Sequence, residues 1–356
     1  MNGTGMNALP AGSTIGILGG GQLGRMMAVS AAQLGYRCHV FAPEADSVAA
    51  EVSAQFTCAG WHDASALADF ARGCDVITYE FEKVPVAPLA ALPDGLLVPG
   101  AQALEVAQDR LTEKRFVEGL GGKPAPYLPV DSDHELAAVV ERLGTPGILK
   151  TRRDGYDGKG QWAIATAKDA AGIRVPQTGM VYEGLVRFAY EFSVVMVRGR
   201  DGEVAFWDSP RNLHEGGILM RTDLPAPEIV DEQVPQARAL AQKVAEALGY
   251  AGVLTLEFFA TENGPVFNEM APRVHNSGHW TIEGAVTSQF ENHVRAICGL
   301  PLGDTSRIAE SVVMANLIGQ VPPTAEILAD SEAHLHLYGK GEAREGRKMG
   351  HVTHVG

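Results

Sequence analysis

Basic side chains are scarce in this chain. Its 356 residues carry 29 Lys and Arg against 43 Asp and Glu, a formal charge of -14. That balance argues against a general nucleic-acid partner and against an anionic membrane surface. It still leaves room for a local basic pocket that takes a small anion. Cysteine is nearly absent: Cys38, Cys58, Cys74 and Cys298 form no CxxC pair and no metal-like spacing. No zinc or disulfide framework is expected, only buried thiols in a reducing compartment. No apolar run reaches the ~18 residues needed to span a membrane. The opening MNGTGMNALPAGS lacks the basic and apolar regions of a secretory signal. A cytoplasmic protein is expected, without internal repeats or low-complexity tracts. With 46% hydrophobic and 20% charged residues the chain is globular, and its length suits two or three domains.

What is present begins with alternation. Residues 1–13 read as a flexible lead. TIGIL (14–18) is a short buried strand, followed by GGGQLG and an apolar-periodic helix to about Gly35. RCHVFA (37–42) reads as the next strand, a helix covers about 64–72, and DVITYE (75–80) is a third strand. Strands alternating with helices predict a parallel sheet with helices on both faces, an α/β class. PDGLLVPG (93–100) closes this unit. Residues 109–121 read as a helix, KPAPYLPV as an extended link, and 147–165 as strand, glycine-rich loop, strand. Strands then follow in GMVYEGLV, YEFSVVMVRG and EVAFWDSP, and a long amphipathic helix covers 231–249. GVLTLEFFA (252–260) and GPVFNEMAP (264–272) read as a hairpin turning at Asn263-Gly264. A helix is expected near 323–330.

Several clusters can carry chemistry. Gly19-x-Gly21-x-x-Gly24 follows a strand and opens a helix, with Glu44 about 20 residues on. A tight structural turn, a nicotinamide or flavin site, and another phosphate-bearing ligand all fit this pattern. The loop KTRRDGYDGKGQ (150–161) can fold over phosphates through backbone N–H groups, with Lys150 ending a buried strand beside it. Glu183 and Glu191 flank a linker whose amides can meet an adenine edge while a carboxylate takes ribose hydroxyls. Glu257 and Glu269 lie mid-strand in apolar surroundings, with Asn268 adjacent, an oxygen-rich pair suited to Mg²⁺. Arg273, His275 and Asn276 follow within seven residues, and such groups suit a planar oxyanion. Alternation places Glu80 and Glu82 on one face at a strand end. The tail gathers Lys340, Arg344, Arg347 and Lys348 into a phosphate-monoester site or a solvated basic patch.

Taken together and in order, GGGQLGRM, DRLTEK, GYDGKGQ, NLHEGGIL, NEMAPRVHNSGHW and GRKMGH resemble the ATP-grasp superfamily. Within it they are similar to the biotin-independent carboxylating family of N5-carboxyaminoimidazole ribonucleotide synthases, over about residues 14–355. The resemblance implies a Rossmann-like N-terminal domain (14–108) followed by the two-part ATP-grasp fold, α+β in character. The lid is expected over 109–186 and the C-terminal domain over 187–356, with a small β-rich segment from about 305. It further implies that ATP meets Arg110, Lys150, Gly155, Tyr156, Asp157, Gly158, Lys159, Gly160, Gln161, Glu183, Gly184, Leu185, Val186, Glu191, His214, Asn268 and Glu269. Two Mg²⁺ ions would sit on Glu257 and Glu269. The aminoimidazole ribonucleotide would meet Gln22, Leu23, Glu80, Glu82, Tyr156, Asp157, Lys340 and Arg347. Bicarbonate would lie among Arg273, His275, Asn276 and Lys340. A homodimer is also implied. The lead is extra to the family pattern, and the chain stops sooner after GRKMGH than many relatives do. The rival readings are a sister ligase such as the formate-dependent ribonucleotide transformylase, a nicotinamide dehydrogenase, and a nucleotide-binding module without turnover.

Overall fold

The computed structural model describes residues 8–155 and 159–356. Its first sheet holds β1 (Thr14–Leu18), β2 (Arg37–Ala42), β3 (Gln55–Cys58) and β4 (Val76–Tyr79), all parallel, in the order β3-β2-β1-β4. Successive side chains on a strand point to opposite faces. Ile15 and Ile17 accordingly pack with Met27 of the helix Gln22–Gln33, while Leu18 and Phe41 pack with Phe70 of the helix Ala64–Arg72. Both faces are covered, as the alternation predicted. The end of the lead is pinned: the Leu9 N–H donates to the Cys298 carbonyl at 2.9 Å, and the Tyr36 hydroxyl donates to the Leu9 carbonyl at 2.7 Å.

The second sheet is small and antiparallel: β5 (Tyr127–Val130), β6 (Gly147–Thr151), β7 (Gln161–Ile164) and β8 (Met180–Gly184), ordered β5-β8-β6-β7. The stretch expected as an extended link thus ends in an edge strand. A helix over Asp133–Leu143 covers one face and buries Leu136 and Val140 against Leu149, Ile164 and Tyr182. The helix Arg110–Gly119, N-capped by Asp109, packs elsewhere. Its Val117 lies in the core of the large sheet with Leu240 and Phe267.

The third sheet has nine strands: β9 (Tyr190–Arg198), β10 (Val204–Phe206), β11 (Arg211–Glu215), β12 (Ile218–Leu224), β13 (Gly252–Thr261), β14 (Gly264–Ala271), β15 (Val312–Ile318), β16 (Ala333–Leu337) and β17 (Lys348–Val355). Its path runs β14-β13-β9-β11-β12-β15-β17-β16, with β10 beside β9. The expected hairpin is there, turning at Asn263-Gly264 with Gly264 at φ 97°. The long helix is shorter than expected, Val234–Ala247, with Pro235 in its first turn where no N–H is needed. Near 323–330 only one turn forms, Thr324–Ile327.

The helix Gln289–Ile297 welds the first and third sheets. Phe290, Val294 and Ile297 share one core with Ile17, Met27, Trp280 and Val312. Buried His293 accepts from the Val253 N–H through Nδ1 at 3.1 Å and reaches Thr78 Oγ1 through Nε2 at 2.9 Å. Burial holds its pKa down at about 4, so it stays a neutral strut.

Candidate active site

The glycine-rich turn answers one question at once. Strand β4 stops at Tyr79, so alternation does not carry on to Glu80 and Glu82, and the two carboxylates part company. Glu80 turns under the turn and accepts from the N–H groups of Gly21 at 2.9 Å and Gly24 at 3.3 Å. A Cβ at position 19 or 21 would meet the Glu80 carboxylate at 2.7 and 2.8 Å. The glycines make room for a protein carboxylate, which fills the place a dinucleotide pyrophosphate would need. Glu44 is exposed rather than poised over a ribose. Burial raises the Glu80 pKa, with the two N–H groups opposing. Gln22 opens the helix beside this turn, while the Leu23 side chain is buried in the core, leaving only its backbone for a ligand.

Glu82 instead pairs with Arg273, 191 residues away on the third sheet's loop. Burial pulls the Glu82 carboxyl up, and Arg273 more than reverses it, to about 2. The Arg273 Nη1–H also donates to the Val274 carbonyl at 2.9 Å. Arg273 therefore arrives at the site already neutralised from the N-terminal sheet.

On the grasp side the register places Glu257 of β13 directly opposite Glu269 of β14. The register then slips by one residue, so Asn268 is the bulged position. Like charges facing across a strand pair repel. Here each has a partner that donates to it: Arg110 Nη1 lies 3.1 Å from Glu269, and His275 Nε2 lies 3.0 Å from Glu257. Burial pushes the Glu257 pKa up, and the bond from His275 more than reverses it. A third carboxyl, Glu113, accepts from the Met270 N–H at 2.6 Å. Burial and then Glu269 push its pKa to about 8. Beside the pair, Glu191 bonds His214, whose pKa burial lowers and Glu191 raises further, for a net rise.

Glu183 is not a free ribose ligand. It lies buried between two lysines, Lys114 Nζ at 3.2 Å and Lys150 Nζ at 3.0 Å. Burial pushes the Glu183 pKa up, but the lysines bring it below the usual range. Lys150 is itself lowered by burial and by Lys114 and Arg110, against the pull of Glu183. The linker amides are partly spoken for: Gly184 N–H donates to Pro126 and Leu185 N–H to Pro146. Leu185, Phe188 and Trp162 present exposed apolar surface on the linker and β7, and Phe188 stacks on Phe259. In the glycine-rich loop, Gly160 has φ 72° and a Cβ there would strike Thr151. Lys83 Nζ donates to the Asp154 carbonyl at 2.7 Å, tying the loop's base to the N-terminal unit. Gly155, Lys159 and Gln161 flank that loop, and the expected contacts from Tyr156, Asp157 and Gly158 lie outside the described residues.

The stretch 268–280 is held by a residue that its own sequence does not reveal. Gln289 clamps His275, accepting from its N–H at 2.8 Å and donating to its carbonyl at 2.6 Å. Asn276 is buried, and neither its Oδ1 nor its Nδ2 has a partner among the described residues. The floor is built by the tail, where His279 packs 4.9 Å from His351 and Tyr338 bonds His351 at 2.9 Å. Lys340 lies over the Tyr338 ring, and Gly339 packs against Arg25 and Glu51 of the N-terminal unit. Arg347 Nη1–H donates to the Glu342 carbonyl. Glu283, His336 and His351 bring donor atoms within 4.8 Å of one another. The two imidazoles stack 11° from parallel at 4.6 Å, however. A metal lies in the plane of each ring that binds it, so two rings stacked face to face are poorly placed to share one ion.

Three thiols, Cys38, Cys74 and Cys298, are pushed up to about 12 by burial. Cys58 is exposed, contrary to expectation. No helix among the described residues is long and apolar enough to cross a membrane. Sequence reasoning missed Lys114, Glu113 and Gln289. The DRLTEK motif does carry the first two, one turn after Arg110, but only the packed helix shows that they face the site.

A grasp of two antiparallel sheets around buried lysines and a carboxylate pair, joined to a parallel sheet, defines an ATP-grasp ligase. Family models match in the same order. A ribonucleotide synthetase preATP-grasp domain covers residues 12–108, an ATP-grasp domain 115–290, and a phosphoribosylaminoimidazole carboxylase C-terminal domain 312–356. The N5-carboxyaminoimidazole ribonucleotide synthase of Brucella melitensis is 47% identical over 355 residues, 98% of each chain. The crystal structure of the synthetase from Thermus thermophilus is 48% identical, with TM-score 0.88, covering 96% of this chain and 93% of that one. The Aspergillus clavatus synthase, solved with ADP and 5-aminoimidazole ribonucleotide, is 31% identical with TM-score 0.86, covering 97% and 94%. This chain belongs to the N5-carboxyaminoimidazole ribonucleotide synthase family.

Proposed function

We propose that this enzyme carboxylates 5-aminoimidazole ribonucleotide with bicarbonate and ATP, giving N5-carboxyaminoimidazole ribonucleotide, ADP and phosphate in purine synthesis. The observation that carries the reading is the Glu257–Glu269 pair opposed across β13 and β14, with His275 and Arg110 on its two ends. ATP lies between the lid sheet and the large sheet, over Lys150, Lys114 and Arg110. The linker 183–186 meets the adenine edge through its backbone.

The donor set fits Mg²⁺. Two carboxylates face each other with an amide beside them, and oxygen ligands of this kind suit a hard divalent ion. Glu257 and Glu269 would hold it, with Asn268 next to the triphosphate. When bound, the ion neutralises charge on the phosphoryl group. The chain's own groups do the rest. A bicarbonate oxygen attacks the γ-phosphorus, and the bond to the ADP oxygen breaks, giving carboxyphosphate. The buried lysines stabilise the charge on the transferring phosphoryl group. Carboxyphosphate then releases phosphate and CO₂ inside a closed site that excludes water. The exocyclic amine of the ribonucleotide attacks the carbon, and its proton leaves to the departing phosphate.

Arg273 and His275 hold the carboxylate, and the partnerless Asn276 amide completes the oxyanion pocket. Gln22, Glu80, Glu82, Lys340 and Arg347 form the ribonucleotide end, with Glu80 acting through the turn it shapes. The enzyme works as a homodimer, which sedimentation at assay concentration tests. The functional test is Mg-ATP hydrolysis with ribonucleotide and bicarbonate each omitted in turn. Carbamate formation and full ADP release only with both support the reading. ADP release indifferent to the ribonucleotide overturns it.

A further inference from the structure

A row of buried polar side chains crosses the large sheet beneath His275. Central strands rarely bury hydroxyls without reason, because each unsatisfied one costs roughly 1–3 kcal/mol. Thr222 on β12 donates to Asn212 Oδ1 at 3.2 Å. Asn212 on β11 donates through Nδ2 to Ser193 Oγ at 3.1 Å. Ser193 on β9 donates to Ser277 Oγ at 2.7 Å. Ser277 then stands 2.9 Å from His275 Nδ1. All four are buried. Ser193 also sits directly opposite Glu257 in the register, so the row passes beside the carboxylate that His275 touches.

The direction of the chain is settled at its His275 end. The Ser277 backbone N–H points at His275 Nδ1 at 3.3 Å, and a backbone N–H can only donate. Nδ1 is thereby assigned as an acceptor, which leaves the ring proton on Nε2. The Ser277 hydroxyl, receiving from Ser193, spends its own proton on the same Nδ1. Nε2–H faces Glu257 at 3.0 Å.

We infer that the Thr222–Asn212–Ser193–Ser277 row is a positioning relay that fixes His275 with its proton on Nε2, as a donor on the ring edge where Glu257 and the proposed bicarbonate site lie. The inference rests on the proposed place of His275 at bicarbonate. Ser193 and Ser277 act only through that ring, and neither meets a reactant. Interactions in series are non-additive, and this gives the test.

Ser277→Ala lowers kcat roughly tenfold, the scale seen when an orienting partner is removed. KM for ATP stays put. Ser193→Ala lowers kcat about threefold in the native background and not at all in Ser277→Ala. ¹⁵N-histidine NMR reads the ring directly: the His275 Nδ1 and Nε2 shifts, assigned by their loss in His275→Ala, move toward a tautomer mixture in both serine variants. Equal kcat losses from Ser193→Ala in both backgrounds overturn the relay, as does an unmoved His275 spectrum in both variants. A shifted tautomer with unchanged turnover upholds the relay and overturns the proposed role of His275 instead. Ser193→Ala keeps the Cβ and the strand, so it supplies the spectrum even where Ser277→Ala fails to fold.

Discussion

Glu183→Gln separates a ligand from a keystone. A carboxylate that merely meets ribose could lose its charge at little cost to folding. In this structure Glu183 is the anion between two buried lysines at 3.2 and 3.0 Å. Breaking such a buried pair from one side costs about 3–5 kcal/mol, because the partners stay charged and out of water. Two lysines share the loss here, so the upper part of that range applies. One outlet limits it: Lys150 is already lowered by burial and by its cationic neighbours, and it can shed its proton. The sign of the pH dependence follows. Without Glu183 the buried Lys150 binds fewer protons folded than unfolded, so the variant's stability climbs as pH rises. The native Glu183, whose pKa is depressed, contributes above the ordinary carboxylate range and is lost as pH falls through its folded value. The assay is urea unfolding across alkaline pH, with hydrogen exchange on β6 and β8 to localise the loss. A native unfolding midpoint combined with a raised KM for ATP would refute the keystone argument.

Other perturbations test the remaining joints. Glu269→Gln removes one carboxylate of the opposed pair and should abolish turnover while circular dichroism stays native; full activity would remove Glu269 from the proposed metal pair. Gly21→Ala places a Cβ 2.8 Å from the Glu80 carboxylate and should cost ~1–3 kcal/mol by breaking that cap. Adding Glu80→Ala should make the second change nearly silent, and additive losses in the double variant would sink the cap. The Glu82–Arg273 pair holds its full value above the ordinary carboxylate range. It is worth roughly 3 kcal/mol at 1.36 per pH unit and fades as pH falls toward about 2. An acid-unfolding curve that does not shift in Glu82→Gln would contradict it.

Much of this was legible in the residues. Short apolar runs alternating with a periodic helix gave the parallel sheet, and Asn263-Gly264 gave the hairpin, because local chemistry decides both. The sequence put Glu257 and Glu269 on paired strands, but the hairpin register alone would set Asn268 opposite Glu257; the bulge brings Glu269 there. Three things were not local. Period-2 alternation could not show that β4 ends at Tyr79, so the split between Glu80 and Glu82 was hidden. A GxGxxG pattern reports a close approach to backbone amides but not what approaches, and here it is Glu80. Glu183, one of two carboxylates offered for ribose hydroxyls, takes its lysines from β6 and from a helix 69 residues earlier, pairings that only tertiary packing creates. Ser193 looks like any small residue in an apolar strand until β11 and the loop after β14 are laid against it.

The path of the large sheet also bears on how the enzyme is made. Strand β17 lies between β15 and β16, and His351 on it backs His279 beneath the loop that carries His275. A ribosome delivers the N-terminal parallel sheet and the lid long before residue 351. The lid and one face of the parallel sheet can collapse around their own cores while synthesis continues, but the other face waits for the helix Gln289–Ile297. The loop, by contrast, has no floor until the last strand slides into its slot. The loop that carries Arg273, His275 and Asn276 therefore gains its support only when translation has reached β17.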